Sequence, residues 1–126
     1  MAVVAWWMAA VVVLACLLLG PIQRGSEALA RRRQARLRAE ALLLAWLSAD
    51  QRAQYRARGW FEVTTAAGRR YRIRRGGVVR LDPRGSGYCI EAVSPVPVAD
   101  EMLANKLLLE TDERRFLATA HRYPYR

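Results

Sequence analysis

The chain opens with 18 consecutive residues that carry no charge, from Ala2 to Leu19. A helix of this length rises roughly 27 Å at about 1.5 Å per residue, close to the thickness of the hydrocarbon core of a bilayer. The run is apolar on every face, whereas a surface helix of a globular protein has one apolar stripe. The sequence therefore predicts a transmembrane anchor over residues 1–21 that ends at Gly20 and Pro21.

Three alternatives compete with this prediction. A buried core helix is one, although the remaining hundred or so residues could hardly surround it. A cleaved signal peptide is another, although no basic residue precedes the run and no Ala-x-Ala site is present. A lipoprotein signal through Val13-Leu14-Ala15-Cys16 is the third, although three leucines follow Cys16.

The residues beside the run predict its orientation. No Lys or Arg precedes it and six arginines follow within about 20 residues, so the positive-inside rule predicts an outer N-terminus and a cytoplasmic C-terminal domain. This arrangement is that of a single-pass protein of the bacterial inner membrane, with the lipid bilayer as a partner. The predicted membrane-interface residues are Trp6, Trp7, Arg24, Arg31, Arg32, Arg33, Arg36 and Arg38. The arginines from Arg31 onward are also candidates for binding anionic lipid headgroups.

Composition excludes several classes of protein. The 21 Lys and Arg outnumber the 11 Asp and Glu, and the net charge is +10. An apolar content of 53% excludes disorder throughout the chain. Two Cys and one His are too few for a disulfide framework or a zinc ribbon. No metal-ligand or cofactor-binding spacing is present, and we predict no cofactor.

Helical patterns lie on both sides of the centre of the chain. Residues 20–26 are rich in turn formers and predict a short hinge, whereas residues 27–47 are strong helix formers. Residues 22–47 are together predicted to be an Arg-rich juxtamembrane helix. Ser48 and Gln51 have the spacing of a capping box, and Gly59 that of a C-cap, which predicts a short helix between them. Apolar residues at helical spacing over residues 99–121 predict a C-terminal helical region, in which Thr111-Asp112 begins a second short helix.

Between these regions apolar and polar side chains alternate, as is typical of strands with one buried face. The predicted strands are residues 60–65, 69–75, 78–82 and 88–93, with Gly76-Gly77 as the second turn. On the third strand, Val79 and Leu81 are predicted to point inward and Arg80 outward. Residues 48–123 are thus predicted to form a small cytoplasmic α+β domain, in which an antiparallel sheet of three to four strands packs with helices.

A row of arginines on the second predicted strand is the best candidate for a functional surface. If the alternating apolar residues point into the core, Arg70, Arg72 and Arg74 share the solvent face at spacings of about 6–7 Å, and Arg80 joins them. This spacing suits successive phosphates of a nucleic acid or acidic lipid headgroups. Trp60 is an aromatic candidate for the same face. The alternative is a solvated surface, because Arg outnumbers Lys by 20 to 1, which also fits a compositional bias.

Catalysis has little support in the sequence. Cys89 and His121 have the chemistry of a nucleophile and a base, but a Cys on a strand is usually a small buried hydrophobic residue. Gly85-Ser86-Gly87 lacks the spacing of a phosphate-binding loop. We therefore predict that the protein is not an enzyme.

The C-terminal part of the chain also contains an ordered set of motifs. They are Leu47-x3-Gln51-x3-Tyr55-x3-Gly59-x-Phe61-x-Val63, Tyr71-Arg72-Ile73, a lone Cys89, Pro97-x2-Asp100-x2-Leu103-x2-Lys106-Leu107-x-Leu109-Glu110 and Phe116-x3-Ala120. In this pattern, residues 47–123 resemble a small domain of uncharacterised bacterial and phage-related proteins. The resemblance implies a folded module and transfers no catalytic role, because such domains have no established activity.

Two functional hypotheses follow. The first is a membrane-tethered adaptor that binds a protein partner, for example an acidic one, through its sheet and C-terminal helices. The alternative is a membrane-tethered nucleic-acid-binding protein that uses the arginine row. Salt-dependent retention on DNA or RNA distinguishes the two.

Overall fold

The computed structural model describes residues 2–83, 85–90 and 92–125. Its helices and strands, in chain order, are α1 (Ala2–Trp46), α2 (Ala49–Arg58), β1 (Trp60–Thr64), β2 (Arg70–Arg74), β3 (Gly77–Arg80), β4 (Ser86–Cys89), α3 (Val98–Thr111), α4 (Glu113–Thr119) and β5 (His121–Pro124). The chain divides into two compact units, Met1–Ala35 and Arg36–Arg126.

In the first unit the described residues, 2–35, are part of the long helix α1, whose last residues belong to the second unit. The helix continues through Gly20 and Pro21, so the predicted helix end at these residues is wrong. A proline removes one backbone hydrogen bond, but the chain remains helical on both sides of Pro21. Past this point Glu27 and Arg31 form an exposed ion pair one turn apart, with 3.8 Å between their nearest charged atoms.

The predicted transmembrane anchor and the predicted location in the inner membrane are also wrong. In the part of the chain that the structure describes, no helix has the length and apolar character needed to cross a membrane. A crossing requires about 20 predominantly apolar residues. The run from Ala2 to Leu19 lies at the lower end of that requirement, and it belongs to a longer helix in which charged residues occur between Arg24 and Glu40.

The second unit contains a five-stranded antiparallel sheet with strands in the order β1-β2-β3-β4-β5. The α+β architecture is as predicted, but the sheet has five strands rather than three or four. The additional strand β5 pairs with β4 through Cys89 opposite His121 and Gly87 opposite Tyr123. Its four residues have no apolar alternation, so local sequence gives no sign of a strand.

Helix α2 begins and ends as predicted and also protects an edge of the sheet. Ser48 and Gln51 form the reciprocal hydrogen bonds of a capping box, and Gly59 ends the helix in a left-handed conformation with φ 73°. The Gln51 side chain donates to the Glu62 carbonyl at 2.9 Å, and the Gln54 side-chain oxygen accepts from the Glu62 amide at 2.8 Å. These side chains use backbone groups of β1 that a second chain would otherwise pair with.

One face of the sheet, the core face, packs against the helices. A row across four strands joins Phe61, Ile73, Val78 and Tyr88, each opposite the next. Leu43 of α1, Met102 and Leu109 of α3, and Phe116 of α4 complete the core. A fully buried side chain of this size contributes about 1.5–3 kcal/mol through burial. Burial of this cluster therefore determines which face of the sheet packs against the helices, and the opposite face stays accessible to a ligand.

Strand β3 has the opposite orientation from the one predicted. Arg74 pairs with Gly77, so the connecting turn is Arg75-Gly76 and the strand begins one residue earlier than expected. A shift of one residue exchanges the two faces of a strand. Val78 therefore lies in the core, and Arg80 lies on the core face opposite Tyr71.

Candidate functional site

The face of the sheet opposite the core carries the polar and aromatic residues that alternate with the core positions. We call this surface the open face. Its residues are Trp60, Glu62, Arg70, Arg72, Arg74, Val79, Cys89, His121 and Tyr123, with Arg58 and Tyr125 at its margin and Gly77 and Gly87 at its centre. Except for Val79, the side chains of the open face are half-exposed or exposed.

Glu62 links two of the predicted arginines. Arg70 Nη2 donates to Glu62 Oε2 at 2.5 Å, and Arg72 Nη2 donates to Glu62 Oε1 at 2.9 Å. Partial burial raises the pKa of Glu62, but the hydrogen bonds from Arg72 and Arg70 outweigh this and lower it overall. The carboxylate therefore stays charged near neutral pH and fixes the positions of two guanidinium groups.

Trp60 provides an aromatic surface beside this cluster. The Arg72 guanidinium carbon lies 4.0 Å from the centre of the Trp60 ring, and that of Arg58 lies 5.1 Å from it. Both distances are in the range of cation–π attraction. Arg72 therefore contacts a ring and a carboxylate at once, and its planar group is held in a defined orientation.

Two tyrosines extend the aromatic surface on the other side. Arg74 lies 4.8 Å from the centre of the Tyr125 ring, and its Nη1 donates to the Tyr125 hydroxyl at 3.4 Å. Tyr123 lies across Gly87, where an added Cβ would come within 2.2 Å of the ring. Glycine at position 87 thus leaves the space in which the ring lies.

The arginines of the open face are only partly satisfied. Arg72 Nε and Arg74 Nε are buried and have no hydrogen-bond partner among the described residues. A buried donor without a partner costs about 1–3 kcal/mol, so this arrangement is not the one that stability alone would favour. It is compatible with arginines placed for a ligand, because both residues remain half-exposed.

The structure brings together three of the four predicted arginines. Arg70, Arg72 and Arg74 share the open face as expected, whereas Arg80 lies on the core face and forms an ion pair with Asp82 at 2.9 Å. Sequence reasoning did not assign Arg58, Tyr123 or Tyr125 to this surface. Arg58 could have been found from its position two residues before Trp60, but the two tyrosines required knowledge of β5.

The predicted membrane-interface residues lie on α1. The described side chains among them are exposed, namely Trp7, Arg31, Arg32, Arg33, Arg36 and Arg38. The side chains of Trp6 and Arg24 lie outside the described residues. The membrane-interface role of this set stays a prediction.

Cys89 and His121 are direct cross-strand neighbours on the open face. Their β-carbons are therefore about 5 Å apart. The hydrogen bonds of the described residues include none between the two side chains, and none that orients His121 as a base.

Within residues 2–83, 85–90 and 92–125, no group of three His, Cys, Asp or Glu side chains has the arrangement of a metal site. The absence of enzymatic activity stays a prediction.

A second glutamate, Glu113, lies buried beneath the core face. Its carboxylate accepts hydrogen bonds from Arg69 at 2.6 and 2.8 Å, from the Tyr71 hydroxyl at 2.5 Å and from the Thr65 hydroxyl at 2.9 Å. The Arg69 hydrogen bonds are the main cause that lowers the pKa of Glu113, to about 2, against the opposing effect of burial. Burial and the bond to Glu113 raise the pKa of Tyr71. A carboxylate with this many donors is a structural anchor for α4 and a poor base.

An apolar groove lies between the end of the sheet and α3. Its volume is about 370 Å³, and its apolar lining includes Ile90, Val96 and Leu108. Asp100 and Glu101 lie beside these residues, so the charge around the groove is negative. This is the opposite sign from the open face.

Comparisons with known proteins return no counterpart for this chain: no protein-family model, no curated protein and no solved structure matches it. The resemblance to small bacterial and phage-related domains therefore stays an expectation. The function has to be inferred from the geometry of the described residues.

Proposed function

We propose that the protein binds single-stranded nucleic acid through the open face of its sheet. The observation that carries this proposal is the stacked arrangement of Arg72 on Trp60, with Arg70 and Arg74 in the same row of the strand. Single-stranded nucleic acids are bound by surfaces that combine arginines for the phosphates with aromatic rings for the bases.

The charge of the open face supports binding of a polyanion. Four arginines, Arg58, Arg70, Arg72 and Arg74, lie near a single acidic residue, Glu62, so the local formal charge is +3. The Arg70 side chain remains 61% exposed and that of Arg72 37% exposed while both contact Glu62. Glu62 thus removes one unit of charge but holds two guanidinium groups in place for phosphates.

The aromatic residues favour a single strand over a duplex. Bases of a duplex are stacked on one another and present only their edges in the grooves. Bases of a single strand are free to stack on Trp60, Tyr123 or Tyr125, and each such contact is worth about 1–3 kcal/mol. Among the described residues, the open face also has no projecting helix of the kind that reads the major groove in many DNA-binding proteins.

Fluorescence anisotropy of the full chain with a labelled oligothymidylate tests this proposal over a series of salt concentrations. The variant Arg70→Gln/Arg72→Gln/Arg74→Gln is expected to bind at least about tenfold more weakly. The slope of log K against log salt should fall by about 2, because each phosphate contact contributes about 0.7 for single strands. Trp60→Leu should weaken binding with little change in the slope.

Arg114→Gln is the control for the loss of one charge and is compared with Arg72→Gln alone, because Arg114 is an exposed arginine on α4 outside the open face. It should keep the affinity within about twofold and the slope within about 0.7 of the unmodified chain. Equal losses in Arg114→Gln and Arg72→Gln would show nonspecific attraction only. No binding at low salt would exclude the proposal.

The adaptor hypothesis stays a prediction. The apolar groove beside Asp100 and Glu101 is the feature that favours it, and its charge suits a basic rather than an acidic partner. If the full chain does not bind nucleic acid at low salt, this hypothesis becomes the better one.

A further inference from the structure

Arg80, which the sequence placed on the wrong face, lines a polar pocket at the exposed end of the core face. The pocket has a volume of about 470 Å³ and is lined by Arg80, Asp82, Pro83, Ser86, Tyr88 and Arg122. Its volume lies in the range of sites for small molecules, which is roughly 300–1,000 Å³. It lies on the opposite side of the sheet from the open face.

The strand pairing brings two guanidinium groups together in this pocket. Ser86 lies directly opposite Arg80 in the pairing of β3 with β4. Arg122 of β5 reaches the same serine, because its Nε and Nη2 donate to Ser86 Oγ at 3.2 and 2.9 Å. Side chains directly opposite each other have β-carbons about 5 Å apart, so the Arg122 guanidinium is held close to the Arg80 side chain.

The charges in the pocket are unbalanced. Asp82 forms an ion pair with Arg80 at 2.9 Å, and Arg122 contacts a neutral hydroxyl. The lining residues that the structure describes thus include two guanidinium groups and one carboxylate. The Ser86 side chain that positions Arg122 is itself 4% exposed. Two guanidinium groups beside one carboxylate favour the binding of a further anion.

We propose that this pocket binds a phosphomonoester group. Arginine presents planar, paired donors that match the oxygens of a phosphate, and Arg80 and Arg122 approach the pocket from two sides. The volume of the pocket leaves room for the organic group to which the phosphate is attached. That group is either a small phosphorylated metabolite or the terminal phosphate of a nucleic-acid strand.

The test is titration of the full chain with inorganic phosphate at constant ionic strength, followed through the NMR signals of the arginine Nε–H groups. The Arg80 and Arg122 signals should shift in a saturable manner. Arg80→Gln and Arg122→Gln should each weaken phosphate binding at least about tenfold, since each removes a charged donor pair. Arg115→Gln on α4 is the control with the same loss of charge, and it should leave phosphate binding unchanged.

Two further ligands distinguish the sources of the phosphate. Glycerol phosphate that binds more tightly than inorganic phosphate supports a metabolite site. An oligothymidylate with a 5′-phosphate that binds more tightly than the 5′-hydroxyl form, with the difference lost in Arg122→Gln, supports a strand-end site.

Phosphate that shifts neither arginine signal, or that shifts the signals of Arg115 equally, would overturn the proposal. Thermal unfolding of each variant verifies that the fold is retained. Because inorganic phosphate is tested without nucleic acid, this result does not depend on binding at the open face.

Discussion

Two glutamates of this domain are held by arginines, but they lie in different surroundings and have different consequences. Glu113 is 9% exposed and receives hydrogen bonds from Arg69, Tyr71 and Thr65. Glu62 is 17% exposed and holds Arg70 and Arg72, whose side chains remain in contact with solvent. The arginines of both clusters contact solvent, but Glu113 also accepts from the buried hydroxyls of Tyr71 and Thr65. The comparison shows that an arginine–glutamate pair stabilises the fold where buried donors enclose the carboxylate, and presents charge where they do not.

The largest expected effect is that of Glu113→Gln. The substitution removes the charge that pairs with Arg69 and replaces one acceptor oxygen by an NH2 group, which cannot accept from the donors at that position. Hydrogen bonds to a charged group contribute about 1.5–3 kcal/mol each. We expect a loss of free energy of unfolding of about 3 kcal/mol in urea denaturation. The matched change Glu62→Gln should cost about 1 kcal/mol or less, because exposed pairs contribute little. Equal losses would contradict the distinction between the two clusters.

The pH dependence of stability should follow Glu113. Its pKa in the folded protein is about 2, against an ordinary value of 4.5. A lowered pKa in the folded state contributes stability that is fully present above the unfolded value and is lost as pH falls through the folded value. We expect about 3 kcal/mol to be lost between about pH 5 and pH 2, measured by urea denaturation at each pH. In Glu113→Gln this loss should shrink to the smaller contribution of Glu62, whose pKa is also lowered.

Thr65→Val is a smaller test of the same cluster. The substitution keeps the shape of the side chain and removes the hydroxyl that donates to Glu113 at 2.9 Å. The carboxylate keeps its bonds from Arg69 and Tyr71, so we expect a loss of about 1 kcal/mol in free energy of unfolding. Thr64→Val, at an exposed neighbour, is the control and should change stability by less than about 0.5 kcal/mol. A loss as large as that of Glu113→Gln would indicate a different role for the hydroxyl.

Glu62→Gln is expected to have the smallest effect on stability. In contrast to the arginine substitutions, it is expected to strengthen binding of nucleic acid. Removal of one negative charge from the open face should strengthen binding of an oligothymidylate by about threefold at low salt, and the gain should fade as salt rises. Anisotropy titrations of the full chain measure this gain. Glu110→Gln on α3 removes the same charge elsewhere and should change the affinity less. Weaker binding by Glu62→Gln would mean that positioning of Arg70 and Arg72 matters more than charge.

The sequence predicted those elements that depend on local patterns. Alternation located the strands around Phe61 and Ile73, and side-chain spacing located the capping box at Ser48. Asp112 begins α4 as expected, with its side chain accepting from the Arg115 amide. These features depend on residues that are near one another in the chain, and local physical rules are sufficient for them.

The remaining features depend on distant pairing or on the count of residues in a turn. The orientation of Arg80 was wrong because a turn of Arg75-Gly76 and a turn of Gly76-Gly77 differ by one residue. Strand β5 exists through its pairing with β4, about 35 residues earlier in the chain. The Thr65–Glu113 bond spans 48 residues, so no local pattern indicates it. The apolar opening run gave a strong local pattern, but the membrane anchor inferred from it was wrong.

Photocrosslinking tests the central claim, that the open face binds single-stranded nucleic acid, most directly. The full chain is irradiated with an oligothymidylate that carries a photoreactive base, and the crosslinked peptides are identified by mass spectrometry. Crosslinks at Trp60, Tyr123 or Tyr125, suppressed at high salt and in the Arg70→Gln/Arg72→Gln/Arg74→Gln variant, are the predicted result. Crosslinks confined to α3 and α4, or unchanged in that variant, would contradict it.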